Sequence, residues 1–139
     1  MRVYLAGPVF SDAERQFNLA LATRLEAAGH TVFLPQRDAP PAVGAGYAAR
    51  VFGADLEGLR RADVVVAVCD GAQVDDGTAW EIGFARARGL PVVGLRTDTR
   101  IANVEERMNL MVQESLAALA SSVDELLARL EGLRTKRRL

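Results

Sequence analysis

Asp63-Val64-Val65-Val66-Ala67-Val68 is the stretch whose reading decides the fold. Its unbroken apolar run lacks the alternation of a half-exposed strand and fits a parallel strand covered on both faces, which must then be central. The neighbouring sequence supplies the covers. Upstream, Arg50 to Arg61 reads as a helix with Val51, Phe52, Leu56 and Leu59 turned inward. Downstream, the polar loop Asp70 to Gly77 leads into a helix from Thr78 to Arg88 that ends at Gly89, and Pro91-Val92-Val93-Gly94-Leu95 reads as the next strand.

The same alternation continues toward both ends. Arg2-Val3-Tyr4-Leu5-Ala6 is a short strand closed by Gly7-Pro8, and Thr31 to Leu34 is another, stopped by Pro35. Between them Phe17, Leu21, Ala22 and Leu25 recur at helical spacing over Asp12 to Ala28, with Ser11 or Asp12 as cap and Gly29 at the end. Gln36 to Tyr47 and Thr97 to Asn103 read as loops, Asn109-Leu110-Met111 as a short segment, and Val123 to Leu130 as a last amphipathic helix. Gly44-Ala45-Gly46-Tyr47-Ala48-Ala49 loosely matches a dinucleotide fingerprint, but Pro40 and Pro41 stand where that fingerprint needs a strand.

Strands alternating with helices predict an α/β fold: a single-domain, doubly wound parallel sheet of about five strands, in the flavodoxin-like order 2-1-3-4-5, with helices on both faces. The domain is expected over residues 1–133, followed by a basic C-terminal tail, 134–139. In that order the loops after Ala6 and after Val68 face each other across a crevice at the switch point, where ligands bind.

Composition narrows the chemistry. The 139 residues, half of them apolar, suffice for one well-buried core, and 17 basic against 18 acidic residues leave no excess of charge for gripping a nucleic-acid backbone. No apolar run approaches the roughly 20 residues of a membrane helix, and Met1 leads straight into a strand rather than a signal peptide, so a cytoplasmic protein with no membrane partner is expected. Cys69 is alone and so is His30, which reads as part of the turn ending the first helix; a metal cluster and a Ser-His-acid triad are therefore not expected.

What remains is carboxylates. The crevice would receive Asp70, Asp75 or Asp76, and Glu81, with no lysine or arginine between Asp63 and Phe84. Proteins tolerate such crowding where acids act on a ligand, one ionised and another raised in pKa to release a proton, as in glycosidic-bond cleavage. Local reading also gives these residues plain structural work: Thr78 and Glu81 form a capping-box pattern, and Asp75 and Asp76 suit a loop and helix cap. A helix start would in addition keep Glu81 ionised, as a nucleophile requires.

Tyr4-Leu5-Ala6-Gly7-Pro8-Val9-Phe10, Asp55-Leu56, Asp75-Asp76-Gly77-Thr78-Ala79-Trp80-Glu81-Ile82-Gly83-Phe84-Ala85 and Asn109-Leu110-Met111 occur in this order along nearly the whole chain. Together they resemble the ordered motifs of nucleoside 2-deoxyribosyltransferases. The resemblance implies Glu81 as the nucleophile that holds the sugar covalently, and Tyr4 as the hydroxyl orienting it. Asp55 and Asp75 would contact the base and assist its protonation, with Asp75 an alternative contact for the sugar. Gly7, Phe10 and Gly77 would line the substrate site. Met111 would also bind substrate, and Asn109 would be lent by a neighbouring subunit, which implies a homo-oligomer with shared sites.

The substrates implied are 2-deoxyribonucleosides and free nucleobases, with no cofactor and no metal. The nearest alternative is a 2-deoxynucleoside 5-monophosphate N-hydrolase, whose phosphate would need amides, serines or a basic group at the sugar's far end. Ser11 and its helix start offer some of this, but Asp12 and Glu14 sit beside it, and Asn109 suits a neutral hydroxyl. A non-catalytic nucleotide-binding sensor of the same fold is the third reading.

Overall fold

The computed structural model describes residues 1–100 and 103–136. In chain order the elements are β1 (Arg2–Ala6), α1 (Asp12–Ala27), β2 (Thr31–Phe33), α2 (Pro35–Asp38), α3 (Tyr47–Arg61), β3 (Val64–Val68), α4 (Asp76–Ala87), β4 (Val92–Leu95), α5 (Leu110–Gln113), β5 (Ala118–Ala120) and α6 (Val123–Lys136). The strands form one all-parallel sheet in the order β2-β1-β3-β4-β5, with β3 at its centre as its composition requires. The fifth strand falls on Ala118-Leu119-Ala120, a segment without strand-like pattern in the sequence.

Successive strand residues point to opposite faces, and this parity sorts the core. Val3, Leu5, Val64, Val66 and Val68 meet Leu21, Ala22 and Leu25 of α1 and Leu126 and Leu130 of α6. Tyr4, Ala6, Val65 and Ala67 face the other way, toward Leu59 of α3 and Ile82 and Ala85 of α4. Tyr4 is thereby aimed at the two helices that carry Asp55 and Glu81.

At the carboxyl edge, β1 and β3 run side by side with Ala6 opposite Ala67, and the loops leaving them diverge. Gly7 marks the divergence. A β-carbon there would lie 3.1 Å from Asn18 Oδ1 and 3.2 Å from Val68 Cβ, so a larger residue would have to push these neighbours back by a few tenths of an ångström. The loop is pinned further on, where Asn18 and Arg15 donate to the Pro8 and Val9 carbonyls. Ser11 caps α1 in a complete capping box with Glu14.

Several expected boundaries shift. Helix α3 begins at Tyr47 rather than Arg50, and α4 at Asp76 rather than Thr78. Helix α6 runs on through Arg134, Thr135 and Lys136, with Arg134 paired to Glu131, so the first half of the expected tail is helical. Arg137 to Leu139, and Ile101 and Ala102 of the expected loop, lie outside the described residues. Among the described residues no helix is long and apolar enough to cross a membrane.

Candidate active site

The Tyr4 ring is fully buried and stacks on Phe33 at 5.5 Å between centroids. Its hydroxyl donates to Glu81 Oε1 at 2.6 Å, joining residues 77 positions apart. The expected Thr78–Glu81 capping box does not form. Helix α4 starts earlier because Asp75 is its cap, its Oδ2 accepting from the Thr78 amide at 2.9 Å and the Thr78 hydroxyl at 3.0 Å. With the helix start satisfied, the Glu81 carboxyl is free to meet Tyr4.

Its electrostatics also depart from the sequence reading. Glu81 lies more than a turn inside α4, beyond the reach of the terminal amides. Burial pushes its carboxyl up to about 7, with the charges of Asp55 and Asp75 acting in the same direction and the Tyr4 hydrogen bond opposing them. Burial alone raises Asp55 to about 6. Its buried Oδ1 has no hydrogen-bond partner among the described residues, a costly state that a ligand donor or acceptor would relieve. The Tyr4 phenol is raised by burial and then by Glu81, so it stays a protonated donor.

Glu81 and Asp55 line a cleft of about 330 Å³ between α3 and α4, together with Phe52, Leu56, Leu59, Gly77 and Trp80. None of these is a cation. At Gly77 an added β-carbon would stand 3.3 Å from Asp75 Oδ2, so the bare backbone keeps this wall open. A larger cavity, about 650 Å³, is bordered by Asn109, Arg96 and Arg107 but contains none of Tyr4, Asp55 or Glu81.

The structure thus gathers Tyr4, Asp55, Asp75, Gly77 and Glu81, and leaves other expected residues apart. Asp70 does not enter the crevice: its carboxylate accepts from the Thr97 and Asp98 amides and the Thr97 hydroxyl. Asp98 in turn accepts from the Gly71 amide, and Arg96 donates to the Cys69 and Gly71 carbonyls. These bonds tie the loops after β3 and β4 together. Asp76 is exposed and accepts from the Gly77 amide. Phe10 and Met111, 76% and 80% exposed, lie outside the cleft of this chain, and Asn109 caps α5 through the Met111 amide. Among the described residues no group of three metal-binding side chains is present.

Residues 3–111 match the family model described as nucleoside 2-deoxyribosyltransferase. The chain belongs to the nucleoside 2-deoxyribosyltransferase family. A Thermofilum pendens protein named for 2'-deoxynucleoside 5'-phosphate N-hydrolase activity is 31% identical over 137 residues, 96% of this chain and 94% of its own. The 2-deoxyribosyltransferase of Bacillus psychrosaccharolyticus is 30% identical, with a TM-score of 0.79, over 91% of this chain and 90% of that one. A conserved protein from Enterococcus faecalis superimposes with a TM-score of 0.83 at 29% identity, covering 100% of this chain and 99% of the other.

In this nucleoside 2-deoxyribosyltransferase family member, the cleft includes residues that sequence reasoning missed. Phe52 was read as an inward helix residue, yet it is 55% exposed, and Trp80 is 51% exposed beside it. The usable signal was spacing at Phe52, which stands three residues before Asp55 on the same helix face; Trp80, immediately before Glu81, carried no such signal.

Proposed function

We propose that the protein cleaves the N-glycosidic bond of 2-deoxyribonucleosides through a covalent glycosyl-Glu81 intermediate and passes the sugar to a second purine or pyrimidine base. The observation that carries this reading is the Tyr4 hydroxyl held 2.6 Å from Glu81, which shares its cleft with Asp55, whose buried Oδ1 has no partner among the described residues. Glu81, ionised, attacks the anomeric carbon. The carbon–nitrogen bond breaks, its electron pair stays on the base nitrogen, and Asp55 delivers the proton. A second base then attacks the same carbon, Glu81 leaves, and Asp55 takes the proton back. Two inversions retain the configuration. Tyr4 orients the carboxylate, Asp75 holds α4 and contacts the sugar or base, Gly77 bounds the substrate inside the cleft, and Gly7 and Phe10 meet it from the loop after β1, outside the cleft lining.

In this reading Asn109 and Met111 serve the site of a neighbouring copy, which accounts for their exposure in a single chain. The molecule is then a homo-oligomer acting in the cytoplasm.

One observation bears on the monophosphate alternative. Glu14 Oε2 already accepts from the Phe10 and Ser11 amides at 2.9 and 2.7 Å, so the start of α1 holds an internal anion where a 5'-phosphate would otherwise compete. This favours the neutral 5'-hydroxyl.

The test is to mix the protein with deoxyinosine and adenine and separate the products. Deoxyadenosine supports exchange, and free sugar without deoxyadenosine supports hydrolysis. A mechanism-based fluorinated deoxynucleoside is expected to label Glu81; a label on another residue refutes the assigned nucleophile.

A further inference from the structure

Trp80 and Phe52 form an exposed aromatic corner at the rim of the cleft. Their ring centroids are 5.9 Å apart in an edge-to-face arrangement, and the other contact of Trp80 is a parallel stack on Phe84 at 5.5 Å. Phe84 is itself covered by the Arg88 guanidinium, 5.7 Å from its centroid. Trp80 is therefore fixed from behind while half of its surface faces solvent. Large rings left this open mark a place where something else packs.

We propose that Phe52 and Trp80 are the wall on which the nucleobase packs, and so are base-binding residues for the transfer reaction. The inference rests on the proposed reaction, and three features favour a base as the occupant. First, the wall belongs to the same cleft as the nucleophile: Trp80 adjoins Glu81, and a base joined to the anomeric carbon by one bond must lie within a ring's reach of that carboxylate. Second, the one fully buried side-chain oxygen of the cleft that lacks a hydrogen-bond partner among the described residues is Asp55 Oδ1, and Asp55 stands one helical turn from Phe52. A flat heterocycle offers both a face for the rings and a ring nitrogen or carbonyl for that carboxyl. Third, among the described residues no cation lines the cleft, which suits a neutral aromatic ring and not an anionic group. Stacking of this kind tolerates any base, so the wall explains how one cleft serves both the leaving and the entering base.

Trp80 is the single tryptophan of the chain, which makes it its own reporter. Titrating the protein with adenine or hypoxanthine, followed by tryptophan fluorescence and by calorimetry, is expected to give saturable quenching in step with binding; 2-deoxyribose alone is expected to give none. Phe52→Ala is expected to weaken adenine binding about tenfold. Trp80→Ala is expected to raise KM for the acceptor base about tenfold with kcat changed far less, at unchanged molecular mass by light scattering, and Trp80→Phe is expected to restore most of the loss.

Adenine bound by calorimetry without a fluorescence change, or no adenine binding at millimolar concentration, overturns the wall. So does Trp80→Ala lowering the mass of the assembly while KM stays constant, which makes the corner a contact between copies. Quenching by adenine in a protein that neither exchanges nor hydrolyses nucleosides leaves the wall standing and refutes the proposed reaction instead.

Discussion

Replacing Glu81 with Gln separates the charge of this residue from its shape. The variant keeps the side-chain volume and an acceptor oxygen for Tyr4, and loses only the capacity to ionise. In the folded chain the carboxyl is pushed from 4.5 to about 7, chiefly by burial. A raised carboxyl pKa means that the native state holds this proton more tightly than the unfolded chain does. Its contribution to stability is therefore intact below about pH 4.5 and is lost as pH rises through about 7. At about 1.4 kcal/mol for each tenfold change, ionised Glu81 costs the fold up to roughly 3 kcal/mol above pH 8. Relaxation around the charge trims this, and Glu81→Gln is expected to be about 2 kcal/mol more stable than the parent at pH 8.5, or roughly 6 °C in Tm for a chain of this size. The gap is expected to shrink through pH 7 and 6 and to close near pH 4.5. Melting curves by circular dichroism at those four pH values measure it. A gap that is the same at every pH, or a parent more stable at pH 8.5, refutes the assignment of a desolvated carboxyl. In the exchange assay the same variant is expected to lose activity by roughly a thousandfold or more, the pattern of a site that trades stability for chemistry.

Three further outcomes follow from the same geometry. Tyr4→Phe removes the hydrogen bond that holds the Glu81 carboxyl down, so the Glu81-dependent limb of the pH profile moves upward and kcat/KM near pH 6.5 falls about ten- to a hundredfold; an unmoved limb counts against the orienting role. The reaction needs Glu81 ionised and Asp55 protonated, yet burial places Glu81 at about 7 and Asp55 at about 6. The productive form is then a minority that peaks near pH 6.5, giving a narrow bell in kcat/KM, and Asp55→Asn is expected to abolish the alkaline limb and leave a lower activity that rises to a plateau. A bell that survives this substitution removes Asp55 as the proton donor. Glu14→Ala frees the Phe10 and Ser11 amides, so the ratio of kcat/KM for a deoxynucleoside 5'-monophosphate over its nucleoside is expected to rise several-fold, and a constant ratio argues against the internal anion as the discriminator.

The legible parts of this chain are those governed by local pattern. The Val64 to Val68 run, the helical spacing of Leu21, Ala22 and Leu25, and glycines such as Gly7 and Gly29 sufficed for the sheet order and for most elements. Strand β5 escaped because Ala118-Leu119-Ala120 is short and mostly alanine, a composition with no strand preference that pairs only because β4 offers an edge. The capping-box pattern at Thr78 and Glu81 misled for a related reason: Asp75 and Thr78 are both good caps, and the choice fell to how the tied loops after β3 and β4 deliver the chain into α4.

By itself, then, the sequence determined the alternation of strands and helices and the central strand, because hydrophobic period and turn chemistry act over a few neighbouring residues. Tertiary structure alone decided that Tyr4 reaches Glu81, that Asp55 Oδ1 is buried without a hydrogen-bond partner among the described residues, and that Phe52 and Trp80 stand open at the cleft. Those outcomes depend on strand register and on burial by distant elements, and burial is what moves a carboxyl from an ordinary acid to one that changes charge near neutral pH.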